Sequence, residues 1–339
     1  MKVLIISPTQ SGIGGIAQHV RGLSSFLKKH GHKVEIISSE NTFTIPLKGL
    51  RNPSFMISSF LKTKFKKGYD IVHAHNIPSA LAMKNSQGKK ILSLHGIFSK
   101  QIDKLHGKTT GALSELYEKD ALTWADVITV ISKEAFDHYS NLGFKVHQVP
   151  NAIDMNLLPK NEERIYKKQI IFAGRLSKEK GIDTLLEIAK SLPNDIHLII
   201  LGSGPEEDKI KDYSKSKENI HYMGYQPKEK TIPLIRGSDI LIQPSLIEGI
   251  SSTILEAMVC KTAIITTNVG GNKEIIENGK TGILVEPGKS KEIVEKISYL
   301  INNEKVKESI TAEALKTVQK YDWSHVGKLY LNIYESLLN

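Results

Sequence analysis

The chain reads as α/β, built from two doubly wound β/α/β arrays in tandem, and three observations predict that class. At 339 residues it exceeds the size at which one hydrophobic core stops growing, so two domains are expected. Short unbroken apolar runs alternate with segments of helical apolar spacing, the pattern of parallel strands and their crossover helices. The polar stretch 156–168 (NLLPKNEERIYKK) divides that alternation into halves of similar size. Two Rossmann-like domains facing each other across a cleft follow from this.

Residues 2–7 (KVLIIS) form the first buried strand, followed by the loop PTQSGIGG. A helix from about Ile16 to Lys29 carries Ile16, Val20, Leu23, Phe26 and Leu27 on one face, and Gly31 ends it. Val34–Ser38 is the second strand. The Gly12-Ile13-Gly14-Gly15-Ile16-Ala17 loop has Ala17 where a dinucleotide fingerprint needs glycine. No acidic residue ends the second strand, so NAD is not expected. Asn52-Pro53 signals a helix start. The following helix carries Phe55, Met56, Ile57, Phe60, Leu61 and Phe65 beside Lys62, Lys64, Lys66 and Lys67. Residues 52–67 can thus lie on an anionic membrane, although an ordinary sheet-covering helix gives the same periodicity.

Tyr69–His75 is a strand with His73 and His75 at its carboxyl end. Their spacing permits a metal, but no third ligand stands nearby in sequence, and none is expected to bind. Lys90–Leu94 is a strand ending at His95, a candidate for contacting a sugar hydroxyl. Residues 112–125 read as helix and 126–130 as strand; Ser132 caps a helix beginning KEAFDHY, and Val146–Pro150 closes the array. The second array has strands at about 169–173, 196–201, 220–223, 239–243, 263–266 and 282–285. Its helices lie near 181–192, 205–215, 227–236, 251–260, 271–277 and 290–302, and Trp323–Leu338 is a final amphipathic helix. The expected division is 1–160, 161–320 and a helix, 321–339, returning to the first domain.

The net charge of +10 is uneven. Residues 1–110 hold 17 Lys and Arg against four Asp and Glu, and the remainder hold 29 against 32. An anionic partner for the first domain follows: a membrane surface, lipid phosphate or nucleic acid. The start of the chain reads as a strand and not a signal peptide. The one cysteine, Cys260, excludes an internal disulfide and reads as a buried, inert thiol. A cytoplasmic location fits.

The chemistry concentrates in Arg175–Glu256. Arg175 and Lys180 flank a strand-to-helix crossing, where two cations and helix N–H groups suit a diphosphate. Glu248 and Glu256 lie eight residues apart, with Gly249, Ile250, Ser251, Ser252 and Thr253 between them at a second helix start. Glu248 can reach sugar hydroxyls and Glu256 a ribose diol. No paired carboxylates offer a magnesium site. Read alone, each of these residues is an ordinary surface or capping side chain.

Together the segments FAGRLSKEKGIDTLLEIAK, LGSGPEED and EGISSTILEAM resemble the retaining glycosyltransferases of family 4, with the GT-B fold. GIGGIAQHV, DIVHAHN, VPNAID, NVGGNKEII and NGKTGILVEPG extend the resemblance along the chain. The resemblance implies that Arg175 and Lys180 bind the donor diphosphate, Glu256 the ribose, and Glu248 the transferred sugar. It implies that Gly14 and Gly15 close over the donor and that His95 contacts the sugar near the reaction centre. The donor would be a nucleotide-diphosphate sugar, with no cofactor, and the acceptor a glycan or lipid-linked saccharide. Val259–Ala263, Asn272-Lys273 and Ala152 depart from the family's turns and leave its charged groups in place. Two other functions remain compatible with the scaffold. A sugar-nucleotide epimerase would need no acceptor. A nucleic-acid binder would interleave aromatic and basic residues, which this chain does outside 52–67 too sparsely for nucleic acid to be expected.

Overall fold

A computed structural model describes residues 1–10, 14–47, 49–99 and 108–339, with 108–113 described by their backbone alone. The chain forms two compact units, Met1–Ala152 with Trp323–Asn339, and Ile153–Asp322.

The first unit runs β1 (Lys2–Ser7), α1 (Gly15–Lys29), β2 (Lys33–Ser38), α2 (Arg51–Thr63), β3 (Ile71–His75), α3 (Ala80–Lys84), β4 (Lys89–Leu94), α4 (Lys108–Thr123), β5 (Val127–Val130), α5 (Lys133–Asn141) and β6 (Val146–Gln148). Its six strands are all parallel, in the order β2-β1-β3-β4-β5-β6. Because side chains alternate across a strand, β1 feeds two cores. Leu4 and Ile6 join Phe55, Met83 and Tyr139, while Val3 and Ile5 join Val20, Leu23 and Phe26.

The second unit runs β7 (Gln169–Ala173), α6 (Ile182–Ser191), β8 (His197–Leu201), α7 (Glu207–Ser214), β9 (Ile220–Tyr222), α8 (Lys228–Arg236), β10 (Ile240–Gln243), α9 (Ser252–Cys260), β11 (Ala263–Thr267), α10 (Asn272–Ile275), β12 (Ile283–Val285), α11 (Ser290–Asn302) and α12 (Glu304–Val318). Its strands, also all parallel, lie in the order β12-β11-β10-β7-β8-β9. Counted within the unit this is 3-2-1-4-5-6 read from the other edge, the dinucleotide-fold order. Cys260 is buried, and burial pushes its thiol pKa up to about 12.

The last helix, α13 (Trp323–Leu338), returns to the first unit, where Val326, Tyr330 and Tyr334 complete the core around α1. A methyl group on Gly22 would lie 2.0 Å from Trp323 Nε1, so the indole fits only over a glycine.

Four expectations need correction. The helix α2 begins at Arg51, and Pro53 stands within its first turn, where its missing N–H costs nothing. The stretch 156–168 is packed onto the second unit: Glu163 N–H donates to the Pro233 carbonyl at 3.0 Å, and Arg164 pairs with Asp239 at 3.0 Å. The division therefore falls at Ala152, ahead of the expected 160. Helix α12 was not expected, because its mixed apolar and charged face follows α11 without a glycine or proline stop.

Candidate active site

In the second unit the strand order reverses between β7 and β10, which pair through Ile170 with Ile240 and Ile171 with Leu241. Connections leave such a point in opposite directions, so the loops at the strands' carboxyl ends part and leave a ligand crevice. Arg175, Lys180 and the segment Glu248–Ser251 stand on these two loops, Ser252 and Thr253 open α9, and Glu256 lies one turn further on.

The loop after β7 passes through a short 3-10 turn, Lys178–Lys180, into Gly181 at φ +69°. A methyl group on Gly181 would lie 1.9 Å from the Pro244 carbonyl oxygen, so glycine alone lets this loop rest on the loop after β10. The N–H groups of Leu246 and Ile247 then donate to the Glu179 carbonyl at 2.8 and 3.2 Å. Gly270, at φ +48°, closes in from the loop after β11, its missing methyl 1.8 Å from the Glu248 carbonyl oxygen. Three loops thus fix the backbone of Glu248.

Its side chain meets Lys180, whose Nζ lies 2.5 Å from Glu248 Oε2, and Ser245 Oγ donates to the same oxygen at 3.1 Å. Arg175 is exposed at the start of the loop. Ile250 anchors its segment in the core at 3% exposure. Ser251 makes no side-chain cap on α9, so the first-turn N–H groups of Ser252 and Thr253 and the positive end of the helix dipole are turned to the loop. Glu256 is buried and pairs with Lys228 of α8, Nζ to Oε1 2.6 Å. The sequence reading missed Lys228, 28 residues from its partner, for want of any local signal. It also missed Gln243, a buried amide at the end of β10 with neither polar atom hydrogen-bonded among the described residues.

In the first unit the order reverses between β1 and β3. Gly15 opens α1 behind Gly14, and a methyl group on Gly14 meets nothing within 4 Å. The backbone there is open to a ligand; Gly12 and Ile13 lie outside the described residues. His95 follows β4, its N–H donating to Asn76 Oδ1 at 2.9 Å. It does not stand alone: His75 Nδ1 lies 3.2 Å from His95 Nε2, and His19 of α1 packs beside both. The third histidine absent from the neighbourhood of His73 and His75 in sequence is supplied from distant segments. Burial holds all these imidazoles neutral, with His73 lowered to about 3 and His95 to about 4. His19 and His75 are lowered too, by burial and then by the neighbouring rings.

On α2, Phe55, Ser59 and Thr63 face the core, while Ile57 and Leu61 lie 61% and 50% exposed; the helix ends at Thr63, so Phe65, 86% exposed, and Lys64, Lys66 and Lys67 of the expected basic helix lie beyond it. Of the four lysines, Lys66 pairs with Glu35 and Lys62 donates to the Asn41 carbonyl at 2.5 Å. Among the described residues no helix is long and apolar enough to cross a membrane.

Comparison with known proteins agrees with this arrangement. An uncharacterized glycosyltransferase of Methanocaldococcus jannaschii is 27% identical over 357 residues, covering 99% of each chain. The phosphatidyl-myo-inositol mannosyltransferase of Mycobacterium leprae is 22% identical over 371 residues, covering 99% of this chain and 97% of that one. The crystal structure of Anabaena HepE with UDP and glucose superposes with a TM-score of 0.77 at 19% identity, covering 99% of this chain and 100% of the other. The family described as Glycosyltransferase Family 4 matches residues 13–157, and that described as Glycosyl transferases group 1 matches 156–317. Matched by both halves of the family and carrying two Rossmann-like sheets, the chain belongs to the group 1 glycosyltransferases of the GT-B fold.

Proposed function

We propose that this glycosyltransferase moves a hexosyl group, with retention, from a nucleotide-diphosphate sugar to a hydroxyl of a glycolipid or lipid-linked saccharide at the cytoplasmic face of the membrane. The observation that carries the reading is the meeting of Lys180, Glu248 and the α9 N-terminus at the β7/β10 reversal. There Arg175, Lys180 and the helix N–H groups receive the diphosphate and stabilise its charge as it leaves. Glu256 takes the ribose diol, and Glu248 a hydroxyl of the sugar near its anomeric carbon. The anomeric carbon–phosphate oxygen bond breaks as the acceptor oxygen bonds on the same face, and the acceptor proton passes to the departing diphosphate. Two side-chain cations do the work of charge neutralisation, so the transfer is proposed to need no metal at the diphosphate. The first domain binds the acceptor and supplies Gly14, Gly15 and His95.

UDP and glucose are named for the Anabaena structure, and an inositol lipid for the mycobacterial relative. Both support a nucleotide-sugar donor and a lipid acceptor here. The exposed Ile57 and Leu61 on α2, with Phe65, Lys64 and Lys67 just past its end, support docking on anionic membrane. Thermal shift against UDP, GDP and ADP sugars identifies the donor, because binding raises the unfolding temperature. Labelled donor with lipid extract should then yield a labelled lipid of unchanged anomeric configuration. A chain stabilised by none of these donors, and giving neither transfer nor hydrolysis, overturns the reading.

A further inference from the structure

Among the described residues two carboxylates are buried, Glu256 at 4% and Glu118 at 2% exposure. Glu256 has its part in the proposed transfer; Glu118 stands on α4 in the first unit. Its Oε1 accepts from the Phe98 N–H at 3.1 Å and its Oε2 from the Ser99 N–H at 3.0 Å. Tyr139 Oη, on α5 and fully buried, also donates to Oε1. Burial and the carboxylate beside it push the phenol's pKa up, so Tyr139 keeps its proton and remains a donor. Phe98 and Ser99 follow His95 by three and four residues. Between them the backbone turns at Gly96, at φ +151°, and sinks Ile97 into the core. The near end of this segment is tied as well, since the His95 N–H donates to Asn76 Oδ1 at 2.9 Å. Asn76 itself sits at φ 60°, ψ 163°, a backbone region that glycine alone adopts freely, and such strain persists only where the surroundings hold it.

We infer that Glu118 is a positioning residue for the transfer: by gripping the backbone of Phe98 and Ser99 it fixes the loop that carries His95. The inference rests on the proposed role of His95 at the sugar. An apolar side chain would fill the same space with no charge to desolvate. The carboxylate provides what an apolar group lacks, three charge-assisted bonds that hold the loop in one arrangement. That arrangement matters because a displacement of about 1 Å near the reacting atoms costs on the order of 10²-fold in rate. Glutamine at 118 would keep the shape but turn one acceptor into an NH₂ group facing an N–H donor.

Transfer is measured for the wild type, Glu118→Gln, His95→Ala and the double variant. Glu118→Gln should lower kcat by about tenfold or more, while free UDP or GDP, held by the second unit, binds as before. Because Glu118 acts through the loop of His95, adding Glu118→Gln to His95→Ala should cost no more than about twofold further, whereas losses of separate origin multiply. Glu115→Gln, on the exposed face of the same helix where Glu115 pairs with Lys119 at 3.0 Å, should transfer as the wild type does. Hydrogen exchange on the full chain reads the anchor without substrate. The Phe98 and Ser99 amides should exchange about tenfold faster or more in Glu118→Gln, with Leu92 and Leu94 of β4 unchanged. Multiplying losses, or protection that Glu118→Gln leaves intact, overturn the inference alone; His95→Ala that transfers as well as the wild type overturns the role of His95 and the inference with it. Should Glu118→Gln unfold, Tyr139→Phe takes its place, removing one of the three donors. Faster exchange at Phe98 and Ser99 and a loss of kcat absorbed by His95→Ala are then expected, and the absence of both overturns the inference.

Discussion

Lys180 Nζ rests 2.5 Å from Glu248 Oε2, joining the loop after β7 to the loop after β10. The two side chains are 19% and 11% exposed, so the pair is largely withdrawn from solvent. In the proposed reaction a diphosphate takes over the ammonium and the sugar takes over the carboxylate. The ion pair is thus the ligand-free arrangement of the two groups that divide the donor between them.

Lys180→Ala should lower kcat/KM by about 10²–10³-fold, the effect of losing one donor aimed at developing charge. Glu248→Gln should lower kcat while leaving the affinity for free nucleoside diphosphate unchanged, because Glu248 is assigned to the sugar. Calorimetry with UDP or GDP beside steady-state kinetics separates the two; equal loss of nucleotide binding in both variants contradicts the division.

Glu256→Ala removes the partner of Lys228, whose side chain is 40% exposed and stays solvated. The change in stability should stay within about 1 kcal/mol. Nucleotide binding should weaken at least tenfold, and the wild-type preference for ribose over 2′-deoxyribose should vanish. A variant that keeps that preference removes Glu256 from the ribose.

Gly181→Ala forces a methyl group to within 1.9 Å of the Pro244 carbonyl oxygen at φ +69°. Backbone cannot yield as a flexible side chain can, so a loss of roughly 2 kcal/mol or more is expected in urea unfolding. Transfer activity should fall with it, since the same contact seats the two loops.

Asp239 stands at the amino end of the central strand β10, accepting from Arg164 Nη2 at 3.0 Å, Lys307 Nζ at 2.9 Å and the Gln169 N–H at 3.0 Å. Burial alone would raise its pKa, but these partners outweigh burial and hold it below 3.8. With the folded pKa depressed, its contribution is complete above about pH 4 and is lost as pH falls through the folded value. Asp239→Asn should flatten that acid limb of the unfolding curve. Asp239→Ala, which strands two cations, should cost about 3 kcal/mol at pH 7.

Much of the fold was legible because apolar runs report burial directly. The runs KVLIIS and QIIFA are strands over the expected residues, and Ser132 caps its helix, accepting from the Ala135 N–H at 3.3 Å. The charged residues of the candidate site stood out in the sequence only together, through the resemblance of their segments to the family, and the structure brings two of them, Lys180 and Glu248, into contact. Lys228 was not, nor was Gln243, because a lysine on a helix and a polar residue ending a strand look the same whether or not they face a site.

By itself, then, the sequence determined the alternation of strands and helices, the family and the charged groups of Arg175–Glu256. Only the tertiary structure decided that β10 lies against β7, which brings Lys180 to Glu248 across 68 residues of chain. Only it gathered His19, His75 and His95 into one cluster. Periodicity tells which face of a segment is buried, whereas the partner of that face is chosen by packing among segments far apart in the chain, and no local pattern records that choice.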